Sequence, residues 1–303
     1  MSASVVVGVD GSASSLYAVD VAAREAAVRG ASLRIVHAFV WPLMSVPLAP
    51  SVVGSPEGGL RNLANQTVEE AVSRARTAEA GVEVTGEVVS GEPLSVLSTE
   101  SREAGLVVVG TRGMGGFTGL LVGSVAVHLA AHAECPVLVT RGKPDPMGPV
   151  VLGVDGSEVG EAAVAWAFAE ASLRGAELVA LHTWNNWTGP VAVGTGVQVP
   201  MVYDIDMLKD EEERILSATL AGWREEYPDV AVTPRLVQEY SRQALLEASE
   251  EAQLLVVGAR GRGGFTGLLL GSVSQALLHH AHCPVAVVRG SLRQERVQGQ
   301  EDA

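Results

Sequence analysis

Two stretches of this chain gather residues that could hold an anion. GTRGMGGFTGLLVGS runs from Gly110 to Ser124 and GARGRGGFTGLLLGS from Gly258 to Ser272, differing only at Thr111/Ala259, Met114/Arg262 and Val122/Leu270. Each carries an arginine, Arg112 or Arg260, and ends in Gly-Ser where a helix is expected to begin. Glycines let a backbone approach a ligand closely and take up positive φ angles. Successive exposed amides form an anion-binding nest, and a helix N-terminus adds free N–H groups and the positive end of its dipole. Ser124 and Ser272 each add a hydroxyl donor, so the chemistry on offer is a phosphate cradle. A second motif, GVDGS, also occurs twice, at Gly8 to Ser12 with Asp10 and at Gly153 to Ser157 with Asp155. Plainer readings stand beside these: glycine loops that only turn, aspartates and serines that only cap, and arginines that only solvate a surface.

The elements that must position these motifs alternate along the chain. Val5 to Val9 is a short apolar run of the kind buried on both faces of a sheet. Ser12 is placed to cap a helix ending near Gly30, and Ser32 to Val40 reads as a second strand. A Pro-rich loop leads to a helix over roughly 61–80, a strand near Val82 to Val89 and a short helix opened by Pro93. Leu106 to Val109 follows as a strand, then the glycine loop, a helix from Ser124, and Val137 to Thr140. The order returns from Val150 to Val154, through a helix to Arg174, Glu177 to His182, a helix over Asp206 to Glu226, and Val230 to Glu239. A helix capped by Ser241, Leu254 to Val257, the second loop, a last helix and Val285 to Val288 complete it. Strands alternating with helices call for a mostly parallel sheet covered on both faces.

The chain is thus a duplication. The first strands are offset by 145 residues (Val5, Val150), whereas the glycine loops and Cys135/Cys283 are offset by 148, so three residues enter the second copy between these landmarks. A period this long marks tandem domains rather than a solenoid. The expected division is a domain over 1–142, a linker over 143–148, a second domain over 149–290 and a polar tail over 291–303. A net charge of −14 argues against nucleic acid, which needs clustered Lys and Arg. No apolar run approaches a membrane span and no secretory signal opens the chain, so a cytoplasmic protein is expected. Two cysteines, each before Pro-Val, are too few for a disulfide scaffold and read as small buried residues. His279, His280 and His282 beside Cys283 suggest a metal, but the first copy shares only His132 and Cys135 at those places, so no metal site is expected.

Open sheets of this kind bind ligands at the carboxyl ends of their strands where the strand order switches, which puts GVDGS and the glycine loop on one rim. A P-loop would need Lys before Ser124, where Gly123 stands, and the dinucleotide fingerprint belongs after the first strand. What recurs instead is Gly, two residues, Gly, nine residues, Gly-Ser: Gly110, Gly113, Gly123-Ser124 and Gly258, Gly261, Gly271-Ser272. With the VGVDGS opening, a histidine ending strand two (His37, His182) and CPV before strand five, the chain resembles the ATP-binding branch of the universal stress protein family, in the tandem form seen in actinobacteria. The resemblance covers nearly the whole chain. It implies two doubly wound, Rossmann-like domains of the adenine nucleotide alpha hydrolase-like kind, each an open five-stranded parallel sheet with helices on both faces.

The resemblance also implies roles. Asp10 and Asp155, in the turns beginning at Gly8 and Gly153, would meet the ribose. The backbone at Ala38 and Thr183 would meet adenine. Phosphates would lie among Gly110, Thr111, Arg112, Gly113, Met114, Gly115 and Gly116 with Gly123, Ser124 and Val125. In the second copy they would lie among Gly258, Ala259, Arg260, Gly261, Arg262, Gly263 and Gly264 with Gly271, Ser272 and Val273. Arg262 in place of Met114 would make the second site more electropositive. The function implied is an ATP-dependent regulator in stress or dormancy, with one ATP per domain and Mg²⁺ carried on the phosphates. The alternative is slow ATP hydrolysis or phosphotransfer at the same sites, although no dedicated catalytic residue is evident. A homodimer and a protein partner are expected; nucleic acid and membrane are not. The apolar last strands suit pairing of copy against copy.

Overall fold

The apolar runs form strands that need no alternation because helices cover both their faces. In β1 (Val5–Gly8) the three valines are 0–1% exposed. The computed structural model describes residues 3–40, 56–113, 122–142, 147–185, 191–192, 198–199, 205–262 and 270–290. The first copy continues with α1 (Ala13–Arg29), β2 (Leu33–Phe39), α2 (Pro56–Ala78), β3 (Val84–Ser90), α3 (Pro93–Glu100), β4 (Leu106–Gly110), α4 (Ser124–His132) and β5 (Val137–Thr140). The second runs β6 (Val150–Val154), a 3₁₀ turn at Glu158–Gly160, α5 (Glu161–Arg174) and β7 (Leu178–Trp184). After it come the small pair β8 (Val191–Ala192) and β9 (Gln198–Val199), then α6 (Ile205–Glu226), β10 (Val232–Gln238), α7 (Ser241–Ala248), β11 (Leu254–Gly258), α8 (Ser272–His280) and β12 (Val285–Val288). No helix among the described residues is long and apolar enough to cross a membrane.

Local chemistry sets most boundaries. Ser12 caps α1, its Oγ accepting from the Ser15 amide at 3.2 Å, and Gly30 ends the helix at φ +59°. Gly175 ends α5 in the same way, at φ +57°. One expected cap is different. Tyr240, not Ser241, is the N-cap of α7, and the Ser241 hydroxyl lies 2.5 Å from Thr183 Oγ1, so a partner on β7 takes it.

The strands form one ten-stranded sheet in the order β10-β7-β6-β11-β12-β5-β4-β1-β2-β3. Pairing is parallel within each copy, and the order reverses between β1 and β4 and between β6 and β11. The copies meet where β5 and β12 pair antiparallel, with Val139 opposite Val285, Leu138 opposite Ala286 and Val137 opposite Val287. This reversal turns the carboxyl ends of the two sets of strands toward opposite ends of the sheet. One core, under α1, α2, α5 and α6, and another, under α3, α4, α7 and α8, each run unbroken across the seam.

Two sets of arginines hold the seam. On one face Arg174 Nη2 lies 2.6 Å from Glu25 Oε1 and 3.0 Å from Glu170 Oε2, and Arg29 pairs with both carboxylates. The four side chains are 4–15% exposed. On the other face Arg141, just past β5, donates to the carbonyls of Leu278 (2.7 Å) and Ala281 (3.0 Å) at the end of α8. Arg289, just past β12, donates to those of His132 (2.8 Å) and Ala133 (3.2 Å) at the end of α4. Each guanidinium thus satisfies helix-end carbonyls of the other copy and meets the negative end of its dipole.

Removing one partner of a buried ion cluster leaves the others uncompensated, so Arg174→Ala is expected to cost about 3–5 kcal/mol in denaturant unfolding. A loss below about 1 kcal/mol would mean that water screens the cluster as it does a surface pair. Cys135 and Cys283 are 6% and 0% exposed, and burial pushes both thiols up to about 12. At pH 8 both are therefore protonated, and a thiol reagent is expected to react only once denaturant is added. Fast labelling of the native chain would contradict this.

Candidate functional site

The two motifs converge at the switch in strand order. Just past β1 the Asp10 Oδ1 accepts from the Ser12 amide at 3.0 Å, closing a turn in which Gly11 has φ +85°. Past β6 the Asp155 Oδ1 accepts from the Ser157 amide (3.0 Å) and hydroxyl (2.8 Å), with Gly156 at φ +68°. Asp and Asn side chains favour such local turns. The second carboxylate oxygen of each aspartate points at the glycine loop. A Cβ on Gly113 would collide with Asp10 Oδ2, and one on Gly261 would stand 2.5 Å from Asp155 Oδ2.

That contact corrects one expectation. The described loop glycines, Gly110, Gly113, Gly123, Gly258, Gly261 and Gly271, are not among those with positive φ. At Gly110, Gly113, Gly258 and Gly261 a neighbour presses on the place where a Cβ would stand. A Cβ on Gly110 would lie 2.5 Å from Ser14 Oγ, and one on Gly258 would lie 2.9 Å from the Arg260 carbonyl. Positive φ belongs instead to Gly11 and Gly156 of the aspartate turns.

The loops are tied down differently in the two copies. In the first, Ser12 Oγ donates to the Arg112 carbonyl at 3.3 Å, and Ser14 Oγ accepts from the Arg112 amide and lies near Thr111 Oγ1, both at 3.3 Å. In the second, the Arg262 amide donates to Asp155 Oδ2 at 2.8 Å, and Ser274 Oγ donates to the Gly258 carbonyl at 2.7 Å. Each loop then turns into its helix through a glycine N-cap: the Gly123 amide bonds the Thr111 carbonyl at 2.6 Å, and that of Gly271 bonds Ala259 at 2.7 Å. A glycine cap has no side chain to offer the first turn. The amides of Ser124 and Val125, and of Ser272 and Val273, are therefore available to an anion.

In the second copy these groups line a crevice of about 520 Å³. Gly153, Asp155 and Thr183 form the strand-end side, Gly258, Arg260, Gly261 and Arg262 the loop, and Gly271, Ser272 and Val273 the helix end. Ala259 instead packs into the core at 4% exposure, because its amide continues the ladder to the Val288 carbonyl. Arg260 also borders a neighbouring cavity of about 650 Å³ with Glu158, Glu161 and Arg289. In the first copy Gly8 ends β1 beneath Leu97, Thr111 and Arg112 stand at the loop entrance, and Ala38 and Val125 turn partly into the core. Met114, Gly115, Gly116, Gly263 and Gly264 lie outside the described residues.

His37 and His182 brace the strand ends: their Nδ1 atoms lie 2.8 Å and 2.7 Å from the carbonyls of Val9 and Val154. Carbonyls only accept, so Nδ1 carries the hydrogen in both. His182 has a further partner, Glu212 Oε2, 2.7 Å from its Nε2, and Arg262 Nη1 lies 3.7 Å from the same oxygen. Arg262 was expected to meet phosphate, and its guanidinium stands beside this carboxylate. Sequence reasoning missed Glu212, along with Gly160, Ser241, Leu245, Leu270 and Ser274 of the crevice wall. Glu212 sits in an acidic run on α6, and its contact with His182 is what singles it out. Among the described residues no three His, Cys, Asp or Glu side chains converge as a metal site.

The chain matches the model of the Universal stress protein family over residues 1–141 and 147–289. It is 42% identical over 300 residues to a universal stress protein of Mycobacterium tuberculosis (strain ATCC 25618 / H37Rv), with 95% of this chain and 97% of the relative covered. It resembles in fold the crystal structure of a universal stress protein from Archaeoglobus fulgidus DSM 4304, with a TM-score of 0.69 at 18% identity, covering 95% of this chain and 98% of that one. A universal stress protein solved in complex with cAMP is 31% identical, with a TM-score of 0.35, and covers 46% of this chain and 97% of that one.

The contact between Gly261 and Asp155 gives a test that needs no ligand. Gly261→Ala is expected to push Asp155 aside, break its bond from the Arg262 amide and cost about 1–3 kcal/mol by urea unfolding. Unchanged stability would show that the carboxylate can move away freely.

Proposed function

This chain belongs to the universal stress protein family, and from that premise we propose that it is a regulator, acting in stress or dormancy, that binds one ATP in each of its two crevices. One observation carries the reading. Twice in the chain a strand-end aspartate is pressed against a loop glycine, beside a helix whose N-cap is itself glycine. Asp10 and Asp155 suit ribose hydroxyls, and the backbone at Ala38 and Thr183 suits the edge of adenine. Loop amides, the hydroxyls of Ser124 and Ser272, and the guanidiniums of Arg112 and Arg260 suit phosphate. The crevice of about 520 Å³ has the size of a small-ligand site.

Mg²⁺ in this reading rides on the phosphates, with the chain supplying little to it beyond the loop. Regulation is favoured over catalysis because Asp155 already accepts bonds at both oxygens, from Ser157 and Arg262, and is not posed as a general base. The regulator acts in the cytoplasm as a homodimer, and nucleotide occupancy selects its protein partner.

The test uses protein purified without added nucleotide, denatured, with the released nucleotide identified and counted. One ATP for each crevice is the expected result, with loss of half of it in Gly113→Ala and of the other half in Gly261→Ala. ADP in place of ATP would move the reading to slow hydrolysis. No nucleotide, and none bound when ATP is added back, would sink it.

A further inference from the structure

The crevices are copies, but not every position facing the ligand is copied, and one change adds a carboxylate. Packing fixes the correspondence: Thr67 of α2 lies against Gly11, and Ile215 of α6 lies against Gly156. Those helix residues are offset by 148, as are the strands β3 and β10 and the glycine loops that follow. At that offset Glu212 stands where the first copy has Ala64, which is 3% exposed.

Glu212 reaches the second crevice and lines it together with Asp155 and Thr183. Its neighbours say where along a ligand it would act. Arg262, 3.7 Å away, belongs to the loop that takes phosphate, and His182, 2.7 Å away, to the strand end beside Thr183, which takes the base. The carboxylate therefore lies between the phosphate and base ends, at the place of the sugar. It is also held there. His182 Nδ1 already donates to the Val154 carbonyl, which fixes the ring, and its Nε2 faces Glu212 Oε2 and holds the carboxylate in place. That contact uses one of about four acceptor positions of a carboxylate. Asp155 has more of its capacity committed, to the Ser157 amide and hydroxyl and to the Arg262 amide.

Resting on the nucleotide reading, we infer that Glu212 is a second sugar-reading residue beside Asp155 in the second crevice, selecting ribonucleotides with free hydroxyls and rejecting those phosphorylated on the sugar. A fixed carboxylate accepts from ribose hydroxyls, as acidic residues do in dinucleotide sites. Its charge repels a phosphate at the 2′ or 3′ position, and an unfavourable contact discriminates as strongly as a favourable one. Ala64 supplies neither acceptor nor charge, so the first crevice has no counterpart of Glu212 beside Asp10.

The test is calorimetric titration of the full chain with ATP, dATP and adenosine 3′,5′-bisphosphate. It is made in a Gly113→Ala background, which removes the placement of Asp10 in the first crevice, and compares Glu212 with Glu212→Ala and Glu212→Gln. With Glu212 present, ATP is expected to bind about tenfold more tightly than dATP, the scale of a hydrogen bond to a charged acceptor. The bisphosphate should bind more weakly than ATP. In Glu212→Ala the ATP preference over dATP should fall to about twofold or less, most of that bond being lost. Glu212→Gln is nearly isosteric and tests the same point if the alanine variant unfolds: it should keep part of the ATP preference while binding the bisphosphate better. An ATP to dATP ratio left unchanged by both substitutions would overturn the inference while leaving the nucleotide reading intact. No binding of any of these nucleotides, by the unaltered chain as well, would overturn that reading and the inference with it.

Discussion

The antiparallel pairing of β5 with β12 is the contact on which the rest of the architecture depends. Each strand is four residues long and buried throughout, and each would be the outer strand of its own sheet if the copies stood apart. A short, wholly apolar edge is a template for unwanted pairing. Joined, the two strands continue both cores across the seam and leave the more polar β3 and β10 at the edges. The pairing also sets the geometry of function, because reversing strand direction sends the crevices to opposite ends of the sheet.

Around that seam the charges are arranged for orientation as well as attraction. Arg141 and Arg289 each leave the end of a last strand and close the far end of the other copy's last helix. Those helices, α4 and α8, begin at Ser124 and Ser272, the proposed phosphate contacts. The helix that offers its positive end to one crevice therefore has its negative end satisfied from the other copy. Glu25, Arg29, Glu170 and Arg174 do the matching task on the opposite face, where burial would be unfavourable for any one of them alone.

Duplication preserved the frame of the crevices and changed their furnishing. The aspartate turn, the pressed loop glycine and the glycine N-cap recur. The hydroxyl ties on the loop differ: those of Ser12 and Ser14 hold it in the first copy, and that of Ser274 in the second. Glu212 in the place of Ala64 changes the charge of the crevice wall as well. Parts that shape the backbone are repeated, because any change there disturbs strand and helix together. Side chains that only face the crevice can diverge without that consequence.

Much of this could be read in the sequence alone, because it rests on interactions between near neighbours in the chain. The apolar runs became strands, Ser12 capped and Gly30 ended α1, and Pro93 opened α3, since capping and chain stiffness act over a few residues. The repeated glycine spacing marked the loops, and the switch in strand order expected of such a sheet put them on one rim with the aspartate turns. Sequence did not reveal why the loop glycines are glycine. Positive φ was expected, whereas at Gly110, Gly113 and Gly261 the cause is the approach of Ser14 and of two aspartates about a hundred residues away. Nor did it separate Glu212 from its acidic neighbours on α6, or show that Ser241 would bond Thr183 instead of capping its helix. Nothing in the sequence singled out the seam arginines. In each case the partner is remote in the chain, and only the folded sheet brings the two within hydrogen-bonding range. The sequence by itself determined the elements, their order and the two glycine-rich loops; the tertiary structure alone decided which charged side chains face each other, because that depends on distances no local rule contains.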